Sequence, residues 1–564
     1  MDISKKNELT FLKAFIFLSG FIVGGYYTVI SCFFSVVLAG FMIYKSFTTK
    51  EKEPFKFNIT VGATTLLVVS YLVVSIWAVD SGTAVYGFFK LLPVALLGFI
   101  VSGYDKTERN QLLEVIPLSA AVNGVLAYGL SFIPFLSNYL LVAERLGGFF
   151  QSPNAFAVFC LAGIVILLTA EKVDLKSWII TAVLVVVIFL TGSRTVFIFL
   201  VLTVIAFFFT LKNKKLKRNI LIIFGGMVLI SIAAVFITDS VQTVGRFLTI
   251  SLESSTFLGR ILYYLDALPV ILKHPFGLGY YGYYFSQGSF QTGVYSIAFV
   301  HNSALQFLLD VGWVPSLAFF FVIGASFFSK KSDLRQRLLL FTVFGHSLFD
   351  FDLEFVCVFF VIILALNYDL YKQISFKPNA ILVSAIAGVL ILTSVYFGFV
   401  NSMYLLGNYE AVEKIYGHDT MTKMQLLTTE ANDDRLLEYA EEIIEENGYL
   451  AIAYDVKANH FYEKGDFKKV IKYKNKAIDC APYSIEEYTD FCEKLLIGVS
   501  LYENVNDKQS ARVCKRELVD IIDRLAETKE KTSPLAWKIQ NKPELDLPEE
   551  YAEIIEEYEN SGEF

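Results

Sequence analysis

The sequence predicts an all-α, polytopic membrane domain followed by a helical soluble tail. Three observations carry that expectation. First, 55% of the 564 residues are hydrophobic, 53 of them are Phe, and the mean hydropathy is +0.53; a soluble core does not hide that much apolar surface. Second, the apolar residues recur in helix-length runs up to about residue 400 and then stop. Third, charge divides at the same point: residues 401–564 hold 35 acids and 20 bases, a net of −15, which leaves +8 on residues 1–400. The net −7 is thus the sum of a basic membrane part and an acidic tail. Such a tail is a poor grip for nucleic acid or any other acidic polymer.

A membrane-crossing helix needs roughly 20 apolar residues, fewer where it packs tightly. Taken in order, the runs predict thirteen crossings, at about 9–26, 27–44, 59–78, 83–102, 111–133, 153–170, 177–191, 194–211, 219–237, 301–328, 337–350, 354–370 and 379–400. The chain opens on MDISKKNELT with no small-residue cleavage site after it, so the first run reads as an anchor. Gly24-Gly25 divides that run from the second. Lysines and arginines fix the orientation. With the N-terminus inside, residues 1–8 and 103–110, the segments KSFTTKEKEPFK, EKVDLK, KNKKLKR and SKKSDLRQR, and the linker before 379 hold 21 of them, against five outside. Thirteen crossings then place the tail, residues 401–564, outside the cytoplasmic membrane and leave residues 1–400 as the membrane domain.

Four of the five outer cations are arginines: Arg145 in ERLGGFFQSPN, Arg194 in TGSRT, Arg246 in TVGRFL and Arg260 in FLGRILYYLDA. A guanidinium fork matches phosphate oxygens and desolvates more cheaply than an ammonium. Gathered on the face where the charge bias disfavours cations, they point to an anionic ligand at the outer leaflet. The plain alternative is that each caps a helix end or snorkels to the interface.

Residues 238–300 form one long outer loop, and loops of such length in a compact domain are usually functional. Its stretch 259–273 is amphipathic and predicts a helix lying along the interface. HPFGLGYYGYYF is too glycine-rich for a helix, and its rings suit headgroup depth or stacking on sugars. The loop ends on AFVHN, so His301 opens the tenth crossing beside Asn302, a good helix cap. A lone histidine at a helix start is more often an interfacial residue than a catalyst. Here it shares its side with the arginines, and imidazole is the natural base for an alcohol near neutral pH.

In order along the chain, ERLGGFFQSPNAFA, TGSRT, GR…DALPVILKHPFGLGYYGYYF and VHNSALQFLLDVGW resemble the motifs of the O-antigen ligase and polymerase superfamily of bacterial membrane glycosyltransferases, over residues 144–313. The resemblance implies a helical fold of the C-type glycosyltransferase kind. It implies transfer of a glycan from a polyprenyl-pyrophosphate carrier to an acceptor hydroxyl outside the cytoplasmic membrane, with inversion and without a metal or other cofactor. By match to the family pattern, Arg194 and Arg260, with Arg145, are assigned to the pyrophosphate and His301 to the acceptor. Asn302 is expected to orient His301 or the acceptor, with Asn154 and Gln151 lining the site; Asp266 and Arg246 complete the candidate set. The chemistry agrees independently: a pyrophosphate leaving group needs charge neutralisation more than a proton, and a weak hydroxyl nucleophile gains from a base. Polymerisation of a cell-surface polysaccharide is the preferred form. A ligase, including one that glycosylates proteins, is the alternative.

FDFDLEF holds Asp350, Asp352 and Glu354 with the D-x-D spacing of metal–nucleotide sites. That spacing is common and no nucleotide sugar is available outside the cell, so a solvated outer turn is expected. His346 stands four residues before Asp350 and is placed to pair with it structurally; His274, in KHPFG, reads as a turn residue. A transporter or flippase of lipid-linked sugars is the rival class. It would hold polar groups in mid-membrane, in broken helices or paired repeats. Here the ionisable residues gather at run ends and in the outer loop, which favours an enzyme.

In the tail, Tyr454, Ala458, Phe461, Gly465, Ala477 and Pro482 of residues 449–482 fall at the spacings of a tetratricopeptide repeat, with GDF as the turn and Val470 where alanine is usual. One repeat cannot bury its face alone, so RLLEYAEEIIEEN before it and SARVCKRELVDIIDRLAE after it predict helical neighbours. Such a tail is a stabilising cap, a groove for a protein partner or a guide for acceptor glycan. Cys480, Cys492 and Cys514 lack metal-like spacing, and their odd number argues against a disulfide framework. Cys32, Cys160 and Cys357 lie in apolar runs and read as small buried hydrophobes.

Overall fold

Helix Pro153–Leu168 is apolar on every side, and 14 of its 16 residues are buried. A helix with no polar face belongs at a core. Ser152 caps it by accepting from the Ala155 N–H, and Pro153 takes the first helical position, where no N–H is needed. Helix Val356–Ala365 packs against it and is buried at all ten positions. The computed structural model describes residues 3–48, 55–210, 214–237, 254–376 and 379–562, and it divides into two compact units. These two helices lie in the first, Met1–Val73, Tyr86–Ser251 and Val300–Asn401.

By length and composition, five helices among the described residues are able to cross a membrane: Thr28–Thr48, Ser81–Ser102, Lys106–Leu130, Ser255–Lys273 and Ala380–Leu405. Shorter apolar helices include Ile59–Val74, Leu175–Thr191, Arg194–Thr210 and Trp313–Phe328. The protein is a multi-pass, helical membrane protein. Ala380–Leu405 shows why water is the wrong solvent: Ile381, Val389 and Leu392 are 74%, 60% and 71% exposed along it.

Two expected crossings are interrupted. The run 301–328 breaks into Ser303–Val311 and Trp313–Phe328 at Gly312, whose φ of 79° and ψ of −171° suit glycine. The run 337–350 starts as helix Leu334–Leu339, passes through a π-helical turn at Leu340–Phe344 and ends as Gly345–Ser347. The division at Gly24-Gly25 falls where the sequence predicts it. Both residues have positive φ, and a Cβ on Gly24 would stand 2.8 Å from the Phe150 ring. The carbonyls of Gly25 and Tyr26 accept from Lys90 Nζ, which is buried in the middle of Ser81–Ser102. Lys90 corrects the expectation that ionisable residues gather at run ends. Its ammonium serves carbonyls at a helix break. Two short antiparallel ladders, absent from the all-α expectation, pair Phe55–Phe57 with Ile374–Phe376 and Leu141–Val142 with Arg145–Leu146.

The second compact unit joins Val74–Val85, Leu252–Phe299 and Ser402–Phe564. The described part of the outer loop therefore packs with the tail; 238–253 lie outside the described residues. Helix Ser255–Lys273 forms over the predicted amphipathic stretch. HPFGLGYYGYYF is not wholly irregular, because Gly282–Ser286 makes a five-residue helix. The His274 carbonyl accepts from the Gly277 N–H in the expected turn. Loop and tail are stitched at several points. The Ser533 N–H donates to the Thr292 carbonyl at 2.8 Å, and the Gln540 N–H to Ser255 Oγ at 2.7 Å. Phe285 is buried in one cluster with Leu426, Tyr439 and Ile443, and Leu262 and Tyr295 in another with Ala536 and Ile539.

Tail helices Asp433–Glu446, Ala451–Glu463, Phe467–Cys480, Ile485–Asn504 and Lys508–Lys531 each pack on the next in sequence. At GDF, Gly465 takes φ 70° and Asp466 caps the following helix. None of the six cysteines is in a disulfide. Lys474 is buried with Asp455 at 2.7 Å, Asp490 at 2.8 Å and Glu487 around its ammonium. Lys494 also pairs with Asp490, so two cations meet three carboxylates. Burial, reinforced by the hydrogen bond and charge of Asp455, pushes Glu487 up to about 7 from 4.5. An acid raised in this way contributes stability that is complete below 4.5 and is lost as the pH rises to about 7. The melting temperature of Glu487→Gln is therefore expected to gain on that of the wild type between about pH 5 and pH 7.5, read on the tail's unfolding transition. A difference that does not change with pH refutes this.

Candidate functional site

Arg145 begins the second strand of a two-residue ladder, after Ala143 and Glu144 with φ of 48° and 63°. Paired left-handed residues give a turn that matches strand twist, but they are strained for side chains with a Cβ. From there Arg145 Nε donates to the Thr191 carbonyl at 2.7 Å, a cation against the negative end of helix Leu175–Thr191. Its Nη2 donates to Asn154 Oδ1 at 2.8 Å. Asn154, in the first turn of Pro153–Leu168, donates from Nδ2 to Asp350 Oδ2 at 2.6 Å. The other Asp350 oxygen meets His301 Nδ1 at 3.0 Å and accepts from the Phe351 N–H at 2.9 Å. A continuous hydrogen-bonded chain thus runs Thr191, Arg145, Asn154, Asp350, His301.

His301 itself has a left-handed backbone, φ 54°. For a residue with a ring this costs about 1–3 kcal/mol and persists where neighbours enforce it. The neighbours are identifiable. Asn302 Oδ1 accepts from the Ala304 and Leu305 N–H groups at 3.0 and 3.1 Å, capping Ser303–Val311. The Val300 N–H donates to Gln306 Oε1 at 2.9 Å, and Gln306 donates to Asp310, whose other oxygen accepts from the Tyr71 hydroxyl. The ring of Phe351 packs edge-on to the imidazole, with centroids 4.9 Å apart.

The Asp350 side chain is 5% exposed and that of His301 27% exposed. The carboxylate faces inward and the imidazole outward. A carboxylate at Nδ1 selects the tautomer with the proton on that nitrogen, so the basic lone pair is on Nε2. This geometry corrects the reading of FDFDLEF as a solvated turn: Asp350, Asp352 and Glu354 are 3%, 1% and 5% exposed. His346 pairs with Asp352, at 2.6 Å, and not with Asp350. Acids interleaved with Phe and Leu cannot all face water without exposing the rings between them. Asp350 is a site residue that its local sequence does not mark, because its partners Asn154 and His301 are 196 and 49 residues away.

Arg194 is the first residue of Arg194–Thr210, after Gly192 closes the preceding helix with φ 60°. It stands three positions beyond Thr191, on which Arg145 rests. A cation at a helix N-terminus opposes the dipole, yet a guanidinium and backbone N–H groups at one place favour an anion. Gln151 is left-handed, φ 55°, at the joint before Ser152. Arg260 and Asp266 belong to the second compact unit, on Ser255–Lys273. The Asp266 carboxylate accepts from the Thr292 N–H and Oγ1 at 2.9 and 2.7 Å and from the Tyr295 hydroxyl at 2.9 Å, so it pins the loop. Arg246 lies outside the described residues.

Residues 179–320 match a family model described as O-antigen ligase. The match includes Arg194, Arg260, Asp266, His301 and Asn302 and stops short of Asp350. Over that stretch the chain is similar to O-antigen ligases. No curated protein matches it.

Proposed function

We propose that this protein transfers a glycan from a polyprenyl-pyrophosphate carrier to a sugar hydroxyl on the outer face of the cytoplasmic membrane, joining repeat units of a cell-surface polysaccharide. The observation that carries the proposal is a buried carboxylate on Nδ1 of a partly exposed imidazole, which lies within a stretch similar to O-antigen ligases. In this reading His301 Nε2 takes the acceptor hydroxyl's proton as its oxygen attacks the anomeric carbon of the donor. The bond from that carbon to the pyrophosphate oxygen breaks with inversion, and the pyrophosphate leaves with the electron pair. Arg194 and Arg260 stabilise the charge on it. Arg145 holds Asn154, and through it Asp350, in register. The departing group needs no proton, so a single base is sufficient and no metal is required. The tail, outside the membrane, supplies a tetratricopeptide-like surface for a partner.

A ligase, or an oligosaccharyltransferase acting on protein, is the second reading, favoured by the description of the matching family. Purified protein reconstituted with a lipid-linked repeat unit alone separates the two. A ladder of longer lipid-linked glycans marks a polymerase; product only after a second acceptor is added marks a ligase. Translocation without bond formation refutes both. In the same assay His301→Ala is expected to lose about 10²–10⁴-fold in turnover. Near-normal turnover by a folded variant removes His301 as the base.

A further inference from the structure

The second compact unit contains a cavity of about 650 Å³ for which the transfer chemistry has no use. One wall is the outer loop over 284–296; the other comes from tail residues 449–451, 480–486 and Asn541. Tyr284, Tyr295, Tyr449 and Tyr483 line it, with Gln291 and Asn541. Among the described residues, no lysine or arginine lines it. Its one charged residue, Glu486, is exposed and accepts from Ser484 Oγ at 2.9 Å.

The wall is braced from behind. Tyr295 is buried, donates to Asp266 at 2.9 Å and lies 3.2 Å from the Tyr283 hydroxyl; Tyr483 is buried with its hydroxyl 3.2 Å from Thr532 Oγ1. Gln287 joins the Tyr284 carbonyl to the Ile297 N–H and holds the loop's curvature. By contrast Tyr449 is 42% exposed and Asn541 is exposed, so these two meet whatever enters. Buried, hydrogen-bonded tyrosines beside exposed polar groups are a preorganised arrangement. Aromatic faces stack on the C–H faces of sugar rings, and amides pair with their hydroxyls. A wall without cations gives an anionic polymer nothing to neutralise. The volume lies within the roughly 300–1,000 Å³ of small-molecule pockets and exceeds one sugar ring.

We infer that this cavity binds an uncharged oligosaccharide of two or more rings, as the holding site for the acceptor chain. Its role as an acceptor site rests on the glycan-transfer reading; the binding itself does not. The test uses full-length protein in nanodiscs with maltohexaose, laminarihexaose and chitohexaose as neutral probes and oligogalacturonate as the anionic one, followed by saturation-transfer NMR. At least one neutral probe is expected to bind. Tyr449→Ala and Asn541→Trp are expected to weaken that binding by about tenfold or more, and Tyr449→Phe to retain it. In the ladder assay the first two variants should still form the first glycosidic bond but give shorter products. Failure of all three neutral probes, or preference for oligogalacturonate, overturns the inference. So do variants with unchanged binding and unchanged ladders. Neutral binding by a protein that makes no glycosidic bond overturns the transfer reading and leaves the cavity as a glycan site.

Discussion

Asp350→Asn is expected to lower the turnover of glycan transfer by about 10²–10⁴-fold, with the fold retained and the KM for lipid-linked donor changed far less. The substitution is nearly isosteric, so its effect isolates what the charge and the two acceptor oxygens do. At present Asp350 accepts on both sides, from Asn154 on one oxygen and from Phe351 and the His301 side on the other. An amide has only one acceptor. If its oxygen faces His301, its NH₂ confronts the Asn154 NH₂; turning Asn154 around then confronts the Arg145 guanidinium with a donor. If its NH₂ faces His301, the imidazole must present its lone pair at Nδ1 and carry its proton on Nε2. That is the wrong tautomer for a base. Initial rates over a range of donor and acceptor concentrations check the prediction, and a variant with near-wild-type turnover excludes Asp350 as the group that orients His301.

Arg194→Ala is expected to lower kcat/KM for the donor by about 10²–10³-fold, the scale of losing one preorganised charge partner of a leaving group. Arg194→Lys keeps the charge without the fork and should recover only part of the loss. A donor-independent defect that tracks loss of fold in both variants would return Arg194 to the role of an interfacial anchor.

Much of the fold is legible because lipid imposes simple rules on sequence. Runs of apolar residues fold as helices since no other arrangement satisfies the backbone there, and Gly24-Gly25 marks the first break because only glycine fits its φ against Phe150. The break at Gly312 is harder to see, because apolar residues continue on both sides of it and hydropathy is blind to one residue's φ. The site divides in the same way. His301 and Asn154 stand out as polar residues in apolar settings, and the cap made by Asn302 follows from local chemistry. Asp350 is illegible because its partner is 49 residues away and its burial is a tertiary outcome. Asp266 shows the converse: it has the right residue type in the right loop, yet Thr292 and Tyr295 occupy its carboxylate.

The stitching of Leu252–Phe299 to Ser402–Phe564 bears on how such a protein can change. Phe285 and Leu262 belong to the loop, while most of the residues that bury Phe285, and Ala536 and Ile539 beside Leu262, are encoded more than a hundred codons downstream. Recombination that exchanges the tail alone would set those two side chains against foreign surfaces. A productive chimera has to inherit both segments from one parent. The two stretches are one heritable cassette written in two places.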